Sequence, residues 1–252
     1  YTVPVINAGG ATAIAIDTSG NVYVTGGGYT TIKYNASGVQ QWLVQYWPGG
    51  NSGLQARDIA VDDQGTVYVT GGGRGNTITD DYVTIKYNPL GETLWVQIYD
   101  GPGNDVDFAS SMAVDRVGNV FVTGRSVGSG TQFDYATIKY NSSGIQQWVA
   151  RYHWTTIDNA TAIAIDQLGD VYVTGNSADP NSLYDYATIN YNSAGEQQWA
   201  ARYDGPASNN DFPTAIVLTA SGNVHVTGRS QGLGTFMDYA TVKYNNLGDT
   251  IW

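Results

Sequence analysis

The chain repeats itself at a fixed interval. Tryptophans fall at Trp42, Trp95, Trp148, Trp199 and Trp252, spaced 53, 53, 51 and 53 residues apart. The glycine of a "VTG" triplet recurs in step at Gly26, Gly71, Gly124, Gly175 and Gly228. A unit of this length cannot cover its own apolar faces, so like units must cover one another. That restricts 252 residues to a stack, a propeller or an array before any residue is read for chemistry.

Each unit reads as four short strands. In the first unit these are "AIAID" (Ala13 to Asp17), "NVYVTG" (Asn21 to Gly26), "YTTIKY" (Tyr29 to Tyr34) and "QQWLVQY" (Gln40 to Tyr46). Period-2 alternation of Val, Ile, Thr and Tyr is the strand signature. Composition agrees: 13% charged residues, 32 Gly and 19 Tyr describe an all-β chain with tight turns and large half-buried rings.

The turns follow two rules. Strands one and two are joined by D-x-x-G at Asp17/Gly20, Asp62/Gly65, Asp115/Gly118 and Asp166/Gly169, with Thr219 before Gly222 in the fifth unit. Strands three and four are joined by N-x-x-G at Asn35/Gly38, Asn88/Gly91, Asn141/Gly144, Asn192/Gly195 and Asn245/Gly248. In a type I turn followed by a left-handed residue, the Asp or Asn side chain accepts the turn amides and Gly takes the positive φ. These side chains are therefore expected to build turns rather than to catalyse.

A four-stranded antiparallel unit repeated in this way is a β-propeller blade. The expected fold is all-β, a β-propeller of four-stranded antiparallel blades, five of them closed into one ring. One domain over 1–252 is expected, with repeats at about 11–55, 56–108, 109–159, 160–212 and 213–252, and with 1–10 completing the last blade. Tyr1 precedes Ala11 by ten residues, as Tyr46 precedes Ala56, so the N-terminal segment fits the outer edge of the last blade. Five units of a longer array fit the same numbers; ring closure is preferred because it removes exposed strand edges. The tryptophans of strand four are expected to pack between blades.

The composite "A-IA-D--GNVYVTG" followed by "DYATIKYN-SG--QW-ARY" resembles the SBBP β-propeller repeat of bacterial extracellular and surface proteins, over essentially the whole chain. The resemblance implies a propeller and an extracellular or cell-surface setting in a bacterium. It transfers no catalytic residue. Separately, these residues are expected to be part of a larger multidomain chain. Local departures are the short "GGG" link in unit one, Asn190 in place of Lys in unit four, and the missing first Asp in unit five.

Charge and composition remove several functions. A net charge of −11 opposes a nucleic-acid partner. Without cysteine there is no disulfide or thiolate chemistry. No apolar run is long enough for a membrane span. "YTVPVINAGG" has no basic or apolar leader pattern, so any signal peptide is expected to lie outside this sequence. "GGGRG" leads into no helix and is no phosphate cradle. "NDVD" and "NND" offer oxygens suited to calcium but lack EF-hand spacing. His153 and His225 make no zinc site, and no cofactor is expected.

What remains are the variable links between strands two and three and between units, where binding residues usually sit. The candidate ligand-binding residues there are Trp47, Arg74, Asp107, Arg125, Phe133, Trp154, Asp158, Tyr184, Asp211 and Arg229. Loop aromatics beside Asn and Asp suit a glycan, or equally a cell-surface protein. Asp107, Asp158 and Asp211 share one position in the repeat; gathered at one mouth they would suit a glycosidase, but their recurrence favours a structural duty. Asp81, Asp134, Asp185 and Asp238 are expected to close loops, and Lys33, Lys86, Lys139 and Lys243 to pair with a repeated Asp or reach solvent. A non-catalytic binding or scaffold module is the preferred reading, with a glycoside hydrolase or a purely structural surface-assembly element as alternatives.

Overall fold

The structure, a computed structural model, describes residues 9–47, 55–74, 79–178, 180 and 183–252. Ordered structure among them is β-strand, arranged as five antiparallel meanders. The first joins β1 (Ala11–Ile16), β2 (Val22–Gly26), β3 (Thr30–Tyr34) and β4 (Gln40–Gln45). The second joins β5 (Gln55–Val61), β6 (Val67–Arg74), β7 (Asp80–Tyr87) and β8 (Thr93–Tyr99). The third joins β9 (Asp107–Val114), β10 (Val120–Val127), β11 (Phe133–Tyr140) and β12 (Gln146–Tyr152). The fourth joins β13 (Asp158–Ile165), β14 (Val171–Ala178), β15 (Tyr184–Tyr191) and β16 (Gln197–Tyr203). The fifth has three strands, β17 (Asp211–Leu218), β18 (Val224–Gln231) and β19 (Met237–Tyr244). Beside β19, Lys243 N donates to Trp252 O at 2.8 Å and Ile251 N to Lys243 O at 2.7 Å, where the other sheets begin their fourth strand.

The all-β, four-stranded antiparallel blade read from the repeat is thus present. The chain divides into two compact units, Tyr1–Ser110 and Ser111–Trp252, with the boundary inside β9. The Tyr1–Asn7 segment invoked for ring closure lies outside the described residues. Among the described residues, no helix is long and apolar enough to cross a membrane.

The turns form as their chemistry dictates. Asp17 Oδ1 accepts from Ser19 N and Asn21 N at 3.0 and 2.9 Å, and Asn35 Oδ1 from Ser37 N and Val39 N at 3.0 and 2.9 Å. The turn glycines all have φ between +76° and +86°, where a Cβ would collide with the backbone. In the fifth unit Thr219 Oγ1 takes the acid's place and accepts from Asn223 N at 3.1 Å.

The "VTG" glycine has a different cause. Strand one carries a bulge in each sheet whose register is defined here, for instance between Ala56 and Asp58 and between Ala160 and Ala162. The bulge brings strand-one backbone against strand two, so a Cβ at Gly71 would strike the Gln55 carbonyl and one at Gly175 the Asn159 carbonyl. The extra residue also reaches the next sheet: Thr12 Oγ1 donates to Ala56 O at 2.7 Å and Thr161 Oγ1 to Pro213 O at 3.1 Å.

Within the first unit, sheet one packs on sheet two through Tyr23 and Tyr29 against Ile59, Val67, Val69 and Ile85. Tyr29 Oη donates to Val83 O at 3.0 Å and Trp42 Nε1 to Pro89 O at 3.0 Å. Within the second unit the same contacts recur twice. Tyr135 Oη reaches Ala187 O at 3.3 Å and Trp148 Nε1 reaches Ser193 O at 3.1 Å. Tyr186 Oη reaches Ala240 O at 3.5 Å and Trp199 Nε1 reaches Asn246 O at 3.1 Å. Each ring thus buries its apolar body while its polar end is satisfied. Two of the mid-strand lysines reach a ring and a carbonyl: Lys33 Nζ lies 5.2 Å above the Tyr23 ring and donates to Pro89 O, and Lys139 Nζ does the same over Phe121 toward Ser193 O.

Candidate functional site

The repeated acids are held by their own loops. Asp107, Asp158 and Asp211 open strand one of their sheets and are fully buried. A carboxylate removed from water needs donors. Asp107 Oδ2 accepts from Gly101 N at 2.5 Å, Asp158 Oδ2 from Trp154 N at 2.8 Å and Asp211 Oδ2 from Gly205 N at 2.6 Å. Each folds the preceding inter-sheet loop onto the strand it begins. Burial pushes the Asp158 carboxyl above the usual carboxylate range, although the Ser177 hydroxyl, the Trp154 amide and nearby His153 pull it partly back.

Two further side chains join each of these acids. The groups are Asp81, Asp100 and Asp107; Asp134, His153 and Asp158; and Asp185, Asp204 and Asp211, each offering three ligand atoms within 4.8 Å of one another. Such a set can hold a cation. In the second unit an arginine already sits on the carboxylates. Arg151 Nη2 lies 2.9 Å from Asp134 Oδ2, with His153 Nδ1 2.9 Å from Asp134 Oδ1, and Arg202 Nη2 lies 2.8 Å from Asp185 Oδ2. The same guanidinium groups grip the neighbouring hairpin through Ser126 and Ser177. Ile98 occupies the corresponding place in the second sheet. Thr131 and Thr235 hydroxyls donate to Asp134 and Asp238 at 2.9 and 2.6 Å and close their loops.

The aromatic candidates are stacked rather than buried. The Arg125 guanidinium lies 4.5 Å above Phe133, Arg202 5.1 Å above Trp154, and Arg229 4.7 Å above Phe212. Tyr184 packs on Phe212 with centroids 5.6 Å apart. Trp154 stays 51% exposed. Its neighbour His153 edges an open depression of about 300 Å³, also lined by Gly130, Thr131, Gln132, Thr155 and Thr156. In the first unit Trp47 and Arg74 are exposed.

Of the residues expected from the sequence, Arg125 meets Phe133, Trp154 meets Asp158 through its amide, and Tyr184 meets Arg229 by way of Phe212. Asp107, Asp158 and Asp211 each join acids of their own repeat. Sequence reasoning passed over Arg151, Arg202 and Phe212, and weighed His153 only as a zinc ligand. The signal was present in "WVARY" and "WAARY" (Trp148 to Tyr152, Trp199 to Tyr203), where the arginine faces strand three across the hairpin: Ala136 pairs with Arg151 and Ala187 with Arg202.

Stacked four-stranded meanders of this kind define a β-propeller repeat protein. The SBBP family model, a beta-propeller repeat, matches residues 94–130 and 153–180, so SBBP repeat sequence is recognised over those residues. No curated protein matches the sequence. Among solved structures it is similar to the WD40 domain of Neurospora crassa Pan2, at 11% identity and a TM-score of 0.59, covering 99% of this chain and 67% of that one. It is similar to Drosophila Semaphorin 1b, extracellular domains 1–2, at 10% identity and 0.56, covering 92% and 51%. It is also similar to a gluconolactonase from Xanthomonas campestris, at 12% identity and 0.52, covering 86% and 69%. The chain spans about half the length of the semaphorin chain. At these identities the likeness is one of fold.

Proposed function

We propose that this chain is a non-catalytic binding or scaffold module, a single propeller domain over 1–252 that works outside the cell or at a bacterial cell surface, within a larger multidomain chain. Its ligand is a glycan or a cell-surface protein, and it uses neither nucleic acid nor a cofactor. The observation that carries this reading is a division of labour in the loops. The recurring acids Asp107, Asp158 and Asp211 are buried and each spends one oxygen on a backbone amide of its own loop, while Trp47 and Trp154 keep their rings in solvent. A ring backed by a guanidinium on one side, as Trp154 is by Arg202, is a rigid platform for a sugar face or an apolar side chain. Arg74, Arg125, Phe133, Tyr184 and Arg229 complete the proposed binding surface. The semaphorin likeness, to extracellular domains, is consistent with a display role.

A hydrolase is the second reading, favoured by the Asp134, His153 and Asp158 cluster beside the depression and by the gluconolactonase likeness. A glycan array together with a turnover screen on polysaccharides and sugar lactones tests both. Binding without product is expected; product formation that disappears in Asp158→Ala overturns the proposal.

A further inference from the structure

Asp134, His153 and Asp158 come from three segments of the second unit. Asp134 lies near the start of β11, His153 just past β12, and Asp158 at the first position of β13. Asp134 Oδ1 is 2.9 Å from His153 Nδ1, and that nitrogen is 3.6 Å from Asp158 Oδ2. Zinc bonds of about 2.0–2.2 Å in a tetrahedral shell set neighbouring ligand atoms about 3.3–3.6 Å apart, so the three groups already stand close to a coordination spacing. Outer partners hold both carboxylates in place. Asp134 Oδ2 accepts from Arg151 Nη2 and Thr131 Oγ1 at 2.9 Å each, which leaves Oδ1 to the imidazole. Asp158 Oδ2 accepts from Trp154 N at 2.8 Å. Asp158 is 0% exposed, and its Oδ1 has no hydrogen bond among the described residues. A buried carboxylate oxygen without a donor is unfavourable unless something positive meets it. The His153 ring is 38% exposed and edges the depression of about 300 Å³, which gives an ion a way in.

We propose that Asp134, His153 and Asp158 form a structural site for one divalent transition-metal ion of the zinc kind. The imidazole decides the class of ion. Carboxylate oxygens alone suit calcium or magnesium, whereas an imidazole joined by carboxylates suits zinc and its neighbours. The corresponding group at Asp185, Asp204 and Asp211 offers oxygens only, and Asp211 commits both of its own, to Gly205 N and Gln231 N at 2.6 and 3.2 Å. His153 and His225 make no zinc site together; His153 between two carboxylates makes one. The ion ties β13 and the tail of β12 to β11, and so braces the link that carries Trp154. This role is separate from what the Trp154 ring binds.

Calorimetric titration of Zn²⁺ into the chelator-treated full chain tests this, with Ca²⁺ and Mg²⁺ as contrasting ions. Zn²⁺ is expected to bind more tightly than either and to raise the melting temperature. His153→Ala should weaken Zn²⁺ by more than the about 10–100-fold typical of outer-shell partners. His153→Asp, which installs the acid found at Asp204, should lose the preference for Zn²⁺ over Ca²⁺. Melting of the metal-free variants verifies their fold. A second arm needs no variant, because the chain has only two histidines: Zn²⁺ should shift the imidazole NMR signals of His153 and leave those of His225 in place. No Zn²⁺ binding, Zn²⁺ binding undiminished in His153→Ala, Ca²⁺ bound as tightly as Zn²⁺ by the native chain, or His153 signals that do not move overturns the proposal.

Discussion

Gly195 and Gly130 share a left-handed backbone, with φ of +85° and +82°, but not their surroundings. A Cβ at Gly195 would sit 2.6 Å from Trp148 Cδ2, whereas one at Gly130 would meet nothing within 4 Å. Gly130→Ala should cost about 1 kcal/mol, the strain alone. Gly195→Ala should cost that plus about 1–3 kcal/mol of overpacking. Urea unfolding of both variants checks this, and equal losses would contradict the packing of Trp148 on that turn. Asp158 gives a residue-scale expectation for pH. Its folded carboxyl is raised by burial, so the folded state holds the proton more tightly than the unfolded state. Its contribution is therefore most favourable below the ordinary carboxylate value and is lost as pH rises through the raised one. Across that window Asp158→Asn should gain stability relative to the native chain as pH rises; parallel pH curves would contradict the assignment. The turn acids were legible from sequence because Asp or Asn three residues before Gly has one dominant use. The loop acids were not, since only the fold shows that Asp134 and Asp158 meet at His153.

At the scale of the element, the same residue type in the same repeat position takes two fates. Tyr135 is buried between sheets three and four, and Tyr239 is bare. Tyr135→Ala should cost about 3–5 kcal/mol, and Tyr239→Ala within about 0.5 kcal/mol. Thermal unfolding in dilute solution distinguishes them, and similar losses would show that the two sheet faces are equivalent. Strand positions were readable because Val-x-Val and Tyr-x-Thr alternation has period two. The strand-one bulge was not, because one inserted residue leaves the apolar pattern on either side intact. Its trace was the "VTG" glycine, whose cause is the approach of strand-one backbone. The Arg151 and Arg202 clamps were missed for a similar reason. A lone arginine before a tyrosine looks like an outer-edge charge until the hairpin register sets it opposite Ala136 or Ala187.

For the whole molecule, repetition sorts residues by duty. What recurs builds turns, bulges and sheet contacts; what differs, such as Trp47 and Trp154, lies in the links. The period of the tryptophans made the stacking of blades readable from sequence. Ligand identity was not readable, because loop aromatics serve sugars and proteins by the same stacking physics. The most direct test of this division sets Trp154→Ala against Asp158→Ala in parallel binding and melting measurements on a glycan array. Trp154→Ala should abolish binding and leave the melting temperature unchanged. Asp158→Ala should lower stability by about 1–3 kcal/mol and keep binding below its melting point. Loss of a hydrolytic activity in Asp158→Ala, in a chain that melts as the native one does, would contradict the account.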